Sequence, residues 1–219
     1  MDGLVEISPN HFTLKKSHPV YVALREKSTR LRKLDSSKEY KPLYDVTTIT
    51  ESPELFKTII DWLATRYRAM GSDGPTHILG IDSCGCYIGA PLALVLGIPF
   101  LPLRRGALTE GDFVMEGENK KAPNPPLFVR NGSLSPDSRV VVVDDFIANG
   151  RTLEAALDCV QVVGSKVLEA IAMCEIIELE GFKHVHDIPN YKDVRLMSLF
   201  RLHKVSEVLF MPRRFQAKI

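Results

Sequence analysis

The segment that most constrains the fold runs from Arg139 to Thr152. It opens with four consecutive valines, Val140 to Val143. Because successive side chains of a strand point to opposite faces, such a strand needs an apolar layer on each side, which is typical of a central strand in a parallel sheet covered by helices. The chain is therefore predicted to fold as an α/β protein.

Two carboxylates, a short turn and a helix follow the valines. Asp144 and Asp145 come first, then Ala148-Asn149-Gly150, and Thr152 is predicted to open the helix. Ligands of open parallel sheets bind at the carboxyl ends of strands, and a helix N-terminus favours phosphate through its unpaired N–H groups. Carboxylates beside such a site suit hydroxyls, or a Mg²⁺ that carries waters. The order therefore fits a sugar phosphate; the alternative is a plain turn whose aspartates only cap the helix.

The rest of the chain alternates between predicted strands and helices. Helices are predicted at Pro53–Met70 and at Tyr87–Leu96, the latter with a kink or late start at Pro91. Strands are predicted at His77–Ile81, Pro99–Leu103, Leu127–Val129, Val167–Ile177 and 194–200. This order, with the valine strand, predicts a parallel sheet of about five strands flanked by helices, and a short hairpin near the long loop that includes Leu127–Val129. Residues 106–126 lack an apolar period and are predicted to form a long functional or mobile loop.

Composition narrows the classes of partner. The 219 residues carry a net charge of +1, which gives no basic footprint for nucleic acid or an acidic membrane. No apolar run is long enough for a membrane span. The four cysteines show no disulfide framework, and Cys84-Gly85-Cys86 lacks the spacing of a zinc knuckle. We therefore expect small-molecule partners, with neither nucleic acid nor membrane among them, and no metal held by a side-chain cluster.

The segment after the valines also resembles a known motif. A hydrophobic run, Asp-Asp, two residues and a five-residue turn form the loop of type I phosphoribosyltransferases that binds 5-phosphoribosyl 1-pyrophosphate (PRPP). The resemblance extends along the chain and is specifically to adenine phosphoribosyltransferases of the kinetoplastid type. It rests on Asp45–Pro53, Gly80–Gly85, Gly89–Ala93, Leu96–Phe100 and Leu103–Arg105, which are similar to the family in residues and spacing.

The resemblance implies a type I phosphoribosyltransferase fold with a small N-terminal hood. The hood would cover residues 1–50, the core 51–205 with a flexible loop at about 106–126, and a tail 206–219. It implies that adenine and PRPP give AMP and pyrophosphate, with Mg²⁺ carried by PRPP near Asp144 and Asp145. It also implies a homodimer.

The resemblance further implies roles for individual residues. PRPP would be bound by Asp144, Asp145, Phe146, Ile147, Ala148, Asn149, Gly150, Arg151 and Thr152; pyrophosphate by Asp82, Ser83, Cys84 and Gly85; and the base by Leu43 and Tyr44. Arg104 and Arg105 would neutralise the leaving pyrophosphate, with Glu118 as a further catalytic candidate in the loop.

Three departures from the family pattern leave alternatives open. Cys84 stands where the family has an arginine against pyrophosphate, and a thiol is not cationic. Arg151 replaces a glycine and Asn149 a threonine in the phosphate turn, so Arg151 could strain the turn, fill it, or swing out and pair with the phosphate. The Glu-Tyr pair expected in the loop is missing. The alternatives are a catalytically weak or inactive paralogue that binds nucleotides or a dimer partner, and a phosphoribosyltransferase for another base.

Residues 217–219 provide an expectation about localisation. Ala217-Lys218-Ile219 is a conservative variant of the Ser-Lys-Leu peroxisomal signal. This predicts a peroxisome-like organelle such as the glycosome, with the cytoplasm as the alternative.

Overall fold

A computed structural model of the chain describes residues 3–33, 40–105, 112–115 and 127–202, with the backbone alone at 29–33, 40–44, 47 and 112–115. In this part of the chain the α-helices are α1 (Pro19–Lys27), α2 (Pro53–Arg68), α3 (Cys84–Leu96), α4 (Arg151–Gln161) and α5 (Gly181–His186). The strands are β1 (Leu4–Ser8), β2 (His11–Leu14), β3 (Thr29–Lys33), β4 (Tyr40–Tyr44), β5 (His77–Ile81), β6 (Phe100–Arg105), β7 (Asp112–Met115), β8 (Leu127–Arg130), β9 (Arg139–Ile147), β10 (Lys166–Ile176) and β11 (Leu196–Leu202).

Nine of the described strands form one sheet, in the order β1-β2-β11-β10-β9-β5-β6-β8-β7. All neighbouring pairs from β2 to β6 are parallel, whereas β1, β8 and β7 are added antiparallel at the edges. The α/β prediction is confirmed, with six parallel strands instead of about five. The additional strand is β2, whose four residues include the polar His11 and Thr13 and so lack the apolar run of a typical parallel strand.

The four valines of β9 explain how the two layers are built. Val141 and Val143 pack into the core that includes α1, α2 and α3, whereas Val140 and Val142 pack into the core that includes α4 and α5. All four are fully buried. The strand therefore lies in the middle of the sheet with helices on both faces, as the sequence predicts.

Helix α3 begins at Cys84, three residues before the predicted start at Tyr87, and continues through Pro91. The two glycines near its start weaken the helical pattern in the sequence, but close packing requires them. A Cβ atom at Gly85 would lie 2.3 Å from the carbonyl oxygen of Val143, and one at Gly89 would lie 2.9 Å from the Phe100 ring. The glycines therefore bring the start of α3 directly against the sheet.

The N-terminal segment divides into two parts. Strands β1 and β2 belong to the main sheet, whereas β3 and β4 form a separate two-stranded antiparallel sheet. The hood predicted for residues 1–50 thus shares its first strands with the core. Most of the 106–126 loop, with Glu118, and the 206–219 tail, with Ala217-Lys218-Ile219, lie outside the described residues, so the predictions made for them stay predictions.

Candidate active site

The acidic pair lies in the second half of β9, toward the carboxyl edge of the sheet. Asp144 is only 7% exposed and Asp145 is half-buried. The Asp145 N–H donates to Asp144 Oδ1 at 2.9 Å, and the Phe146 N–H donates to Asp145 Oδ1 at 2.8 Å. Burial raises the pKa of Asp144 well above its usual range, the charge of Asp145 raises it further, and the Arg105 guanidinium offsets part of the shift. Crowding thus disfavours a second negative charge on the pair, and Arg105 favours the ionised form of Asp144, which accepts hydrogen bonds from hydroxyl groups.

Residues 148–150 form a turn after the acidic pair and place the N-terminus of α4 at the same edge of the sheet. Gly150 has a left-handed backbone, with φ of 79°, and α4 begins at Arg151. The first N–H groups of an α-helix have no partner within the helix and, with the helix dipole, favour an anion. One of them is engaged by the turn itself, because the Arg151 N–H donates to Asn149 Oδ1 at 3.3 Å. The geometry has the order of a phosphate cradle that the sequence predicts.

Arg151 neither strains nor fills this turn. In the described part of the chain the non-glycine residues with positive φ are Asn10 and Glu180, so Arg151 has an ordinary backbone conformation. Its exposed side chain lines a surface cavity of about 350 Å³ together with Asn149, Lys183 and neighbouring residues. Of the three possibilities left by the sequence, the structure favours an arginine that swings out of the turn.

Arg105 connects β6 to the phosphate turn. Its Nη2 donates to Thr152 Oγ1 at 3.1 Å, and its charge acts on Asp144. Arg104 is its neighbour on the strand, and adjacent side chains on a strand project to opposite faces. Arg104 is exposed whereas Arg105 is half-buried. The two arginines, predicted as a pair, therefore project from different faces of β6, and Arg105 is the one that contacts the phosphate turn.

The turn between β5 and α3 contains the predicted pyrophosphate site. Asp82 and Ser83 are exposed and joined by a cis peptide bond, and Gly85 is buried against β9. Cys84 is half-buried; burial raises its pKa to about 12, with a further contribution from the charge of Asp145. The thiol is therefore neutral at physiological pH and supplies no cation to a leaving group. A Cβ atom at Gly85 would lie 3.2 Å from the Asp144 Cα, so this turn, called the pyrophosphate turn below, packs against the acidic pair.

The predicted base-binding residues Leu43 and Tyr44 end strand β4, where the structure describes the backbone alone. Their contact with a base therefore stays a prediction.

The two histidines of α5 both have partners within the protein. His184 Nε2 lies 2.8 Å from Glu154 Oε2, and His186 Nε2 lies 2.9 Å from the Val194 carbonyl oxygen.

Among the side chains that the structure describes, no group of three or more His, Cys, Asp or Glu residues could hold a metal ion. The adjacent carboxylates Asp144 and Asp145 nevertheless fit a Mg²⁺ that arrives with a substrate, because Mg²⁺ is commonly bound by one or two carboxylates together with substrate phosphates. The helices within the described ranges include none that is long and apolar enough to cross a bilayer.

Sequence reasoning missed a further component of the site, Gly181 at the start of α5. A Cβ atom there would lie 2.3 Å from the Ala148 carbonyl oxygen and 2.8 Å from the Gly150 nitrogen, so the phosphate turn rests directly on the Gly181 backbone. No local sequence signal marks this contact, since it joins segments about thirty residues apart in the chain.

Replacing Gly181 with alanine is expected to push the phosphate turn outward, because the added methyl group would overlap backbone atoms. We expect KM for PRPP, the substrate predicted from the sequence, to rise about tenfold or more, as judged by steady-state kinetics. Gly97→Ala is the control, because Gly97 has a φ of 71° but open space around its Cβ position and lies at the far end of α3. It should cost stability without changing KM. An unchanged KM in Gly181→Ala would show that the turn does not depend on this contact.

The comparisons with known proteins agree with this geometry. The family model described as phosphoribosyl transferase domain matches residues 45–195, which include both turns, the arginines and the acidic pair. The chain belongs to the phosphoribosyl transferase family. Among curated relatives of this phosphoribosyl transferase, Adenine phosphoribosyltransferase 3 of Arabidopsis thaliana is 34% identical over 145 residues, covering 66% of this chain and 78% of the relative. Adenine phosphoribosyltransferase 1 of Triticum aestivum is 32% identical over the same coverage.

Solved structures extend the similarity over nearly the whole chain. The adenine phosphoribosyltransferase from Leishmania tarentolae is 34% identical with a TM-score of 0.79, covering 95% of this chain and 100% of that one. The enzyme from Trypanosoma brucei, solved with AMP, pyrophosphate and ribose-5-phosphate, is 29% identical with a TM-score of 0.80, covering 99% and 94%. The predicted family and fold are therefore confirmed.

Proposed function

We propose that this phosphoribosyl transferase joins adenine to PRPP and releases AMP and pyrophosphate, a reaction of purine salvage. One observation carries the proposal: the acidic pair, the phosphate turn and the pyrophosphate turn meet at one edge of the sheet, where Arg105 contacts Thr152 and faces Asp144. The relatives support adenine as the base, since those with the same fold are named adenine phosphoribosyltransferases. They favour an enzyme over the inactive paralogue that the sequence left open.

The chemistry follows from these positions. A ring nitrogen of adenine bonds to the anomeric carbon of the ribose while the carbon–oxygen bond to pyrophosphate breaks; pyrophosphate takes the electron pair, and the base loses its proton. Asp144 and Asp145 accept hydrogen bonds from the ribose hydroxyls, and N–H groups of the 148–152 turn other than that of Arg151 hold the 5′-phosphate. Arg105 stabilises negative charge that develops on the leaving group. Mg²⁺, bound with PRPP, would add positive charge at the pyrophosphate.

Base selectivity tests the proposal. We expect purified protein to use adenine with a kcat/KM at least about 10²-fold above that for hypoxanthine, guanine or uracil, because a site that hydrogen-bonds one base edge leaves polar groups unpaired with another. Each base is assayed with PRPP and Mg²⁺ at equal concentrations. Preference for a base other than adenine would overturn the substrate assignment while leaving the phosphoribosyl transfer intact.

Because of Cys84, we expect a lower kcat than in family members that carry an arginine at this position. Because a neutral thiol replaces a cation at the pyrophosphate turn, Cys84→Arg is expected to raise kcat by about tenfold or more; one such positioned donor commonly contributes about 10²–10³ in rate. Cys84→Met is the control, since it fills the same position without charge and should give no gain. If Cys84→Arg is no faster than the parent protein, leaving-group stabilisation does not limit the reaction.

A homodimer is part of the proposal, and α3 offers a surface for it. Tyr87, Leu94 and Val95 are exposed on this helix, Leu94 by 82%, although they are large and apolar. Tyr87 and Leu94 are seven residues apart and therefore share one helical face, which suits a second copy of the chain. The partner would then lie beside the pyrophosphate turn that begins α3.

Leu94→Glu is expected to convert the dimer to a monomer, because it places a charge at the most exposed apolar position of this face. Sedimentation velocity reports the mass directly. Val162→Glu, which changes an exposed apolar residue just after α4, should remain dimeric. A parent protein that sediments as a monomer at micromolar concentration would contradict the dimer.

A further inference from the structure

A second cavity lies beside the cavity that Arg151 lines, and the two share Glu180 and Lys183 in their linings. It has a volume of about 400 Å³ and forms where β10 and β11 end and β2 begins. Its polar lining includes His11, Glu175, Lys183, Lys192 and Arg201. None of these residues has a role in the proposed reaction. We call this space the polar cavity.

The floor of the polar cavity is a buried, fully paired carboxylate. Glu175 is only 3% exposed, and its Oε2 accepts from Arg201 Nε at 2.8 Å and from Ser198 Oγ at 3.2 Å, and lies 2.9 Å from His11 Nε2. Arg201 Nη2 donates to Oε1 at 3.2 Å. Burial alone would raise the pKa of Glu175, but the hydrogen bonds from His11 and Arg201 outweigh it and lower the pKa. The negative charge of Glu175 at the floor is therefore compensated by its hydrogen-bond partners, so the floor does not repel an anionic ligand strongly.

The rim of the polar cavity carries positive charge that is weakly compensated. Lys192 is exposed and makes no ion pair with any residue in the described ranges. Lys183 pairs with Glu180 at 3.5 Å, but the two side chains are 63% and 64% exposed, so the pair is weak. The rim therefore offers two ammonium groups to an anion and one carboxylate to hydroxyl groups.

The same rim is mechanically connected to the phosphate turn. Glu180 has a left-handed backbone, with φ of 49°, which is unfavourable for a residue with a side chain. It lines both the polar cavity and the cavity beside Arg151, and the next residue, Gly181, supports the phosphate turn at Ala148 and Gly150. A ligand that binds Glu180 and Lys183 would therefore displace Gly181, the residue against which the phosphate turn packs.

We propose that the polar cavity binds a small phosphomonoester that also carries hydroxyl groups, such as a sugar phosphate, and that its occupancy changes the affinity of the phosphate turn for PRPP. Lys192 and Lys183 bind the phosphate, and Glu180 accepts from the hydroxyls. The volume lies in the range of small-molecule sites and exceeds what inorganic phosphate needs. The coupling part of this inference rests on the proposed function, whereas the binding part does not.

Calorimetry with glucose 6-phosphate tests the binding part, using full-length protein saturated with AMP to occupy the active site. We expect one equivalent to bind, and Lys192→Glu to weaken binding at least about tenfold, as for loss of a charged contact. Lys166→Glu, an exposed lysine at the opposite end of β10, should bind normally. Unchanged binding in Lys192→Glu, or no binding to the parent protein, would overturn the site. Equal affinity for inorganic phosphate would overturn its assignment to a sugar phosphate.

Kinetics test the coupling. With glucose 6-phosphate present, KM for PRPP should change about threefold or more in the parent protein and stay constant in Lys192→Glu. A constant KM in the parent protein would overturn the coupling. A protein that binds the ligand through Lys192 but forms no AMP would refute the proposed function and leave the binding site standing, so the two failures are distinguishable.

Discussion

Replacing Arg105 with alanine is expected to lower kcat/KM for PRPP by about 10²–10³-fold, the usual cost of removing one positioned donor from a charge-stabilising site. In the structure its guanidinium donates to Thr152 Oγ1 at 3.1 Å and acts on buried Asp144, so it serves the phosphate turn and the acidic pair at once. Arg105→Lys keeps the charge but loses the planar guanidinium, so its kcat/KM should lie between those of the parent protein and Arg105→Ala. Steady-state kinetics at fixed, saturating adenine measures the change.

The pH profile separates this role from a loss of folding. Because Arg105 lowers the pKa of Asp144, removing it raises that pKa further, and a higher pH is needed to ionise the carboxyl. The acidic limb of kcat/KM should therefore move to higher pH in Arg105→Ala. Arg130→Ala, which removes an exposed arginine at the end of β8, should change neither rate nor profile. A loss below about threefold would contradict the role given to Arg105.

Glu169→Ala is expected to lower the free energy of unfolding by about 3–5 kcal/mol, the usual cost of leaving buried charges without their partner. Glu169 is 1% exposed and accepts from Arg66 Nη1 at 2.5 Å, Arg66 Nη2 at 2.6 Å and the Tyr67 hydroxyl at 2.6 Å. Arg195 Nε lies 3.5 Å from its Oε1. Without the carboxylate, the largely buried Arg66 guanidinium would lose its partner, and the half-buried Arg195 would lose a nearby negative charge.

Urea unfolding gives the comparison. Asp61→Ala removes an exposed i, i+4 partner of Lys57 on α2 and should cost no more than about 0.5 kcal/mol. Glu169 lies near the amino end of β10, away from the candidate site, so the variant should keep the parent KM for PRPP at a temperature where it is folded. A loss near that of Asp61→Ala would mean that this network contributes little to stability.

The parts of the fold that the sequence predicted are those set by local periodicity. Val140 to Val143 predict a strand buried on both faces, because side chains alternate between the faces and all four are apolar. Pro53 and Glu54 indicate the start of α2. Strand β2 was missed because four residues with alternating polarity carry too little signal. Helix α3 was predicted too short because the sequence pattern treats its glycines as helix breakers. In the structure these glycines are needed for close packing against the sheet.

The candidate site was predicted in its residues but not in its connections. The order of Asp144, Asp145 and the 148–152 turn follows from the chain itself. The bond from Arg105 to Thr152 spans 47 residues, and the support of the turn by Gly181 depends on where α5 docks. Such contacts arise from tertiary packing, so only the structure distinguishes Arg105 from Arg104 and shows that Arg151 leaves the turn unstrained.

The central claim is that this edge of the sheet transfers a phosphoribosyl group to adenine. The most direct test follows ³¹P signals while purified protein is incubated with adenine, PRPP and Mg²⁺. We expect AMP and pyrophosphate to appear in equal amounts, only when PRPP is present, and to be lost in the double variant Asp144→Asn with Asp145→Asn. Folded parent protein that forms no AMP, or a double variant as fast as the parent, would contradict the claim.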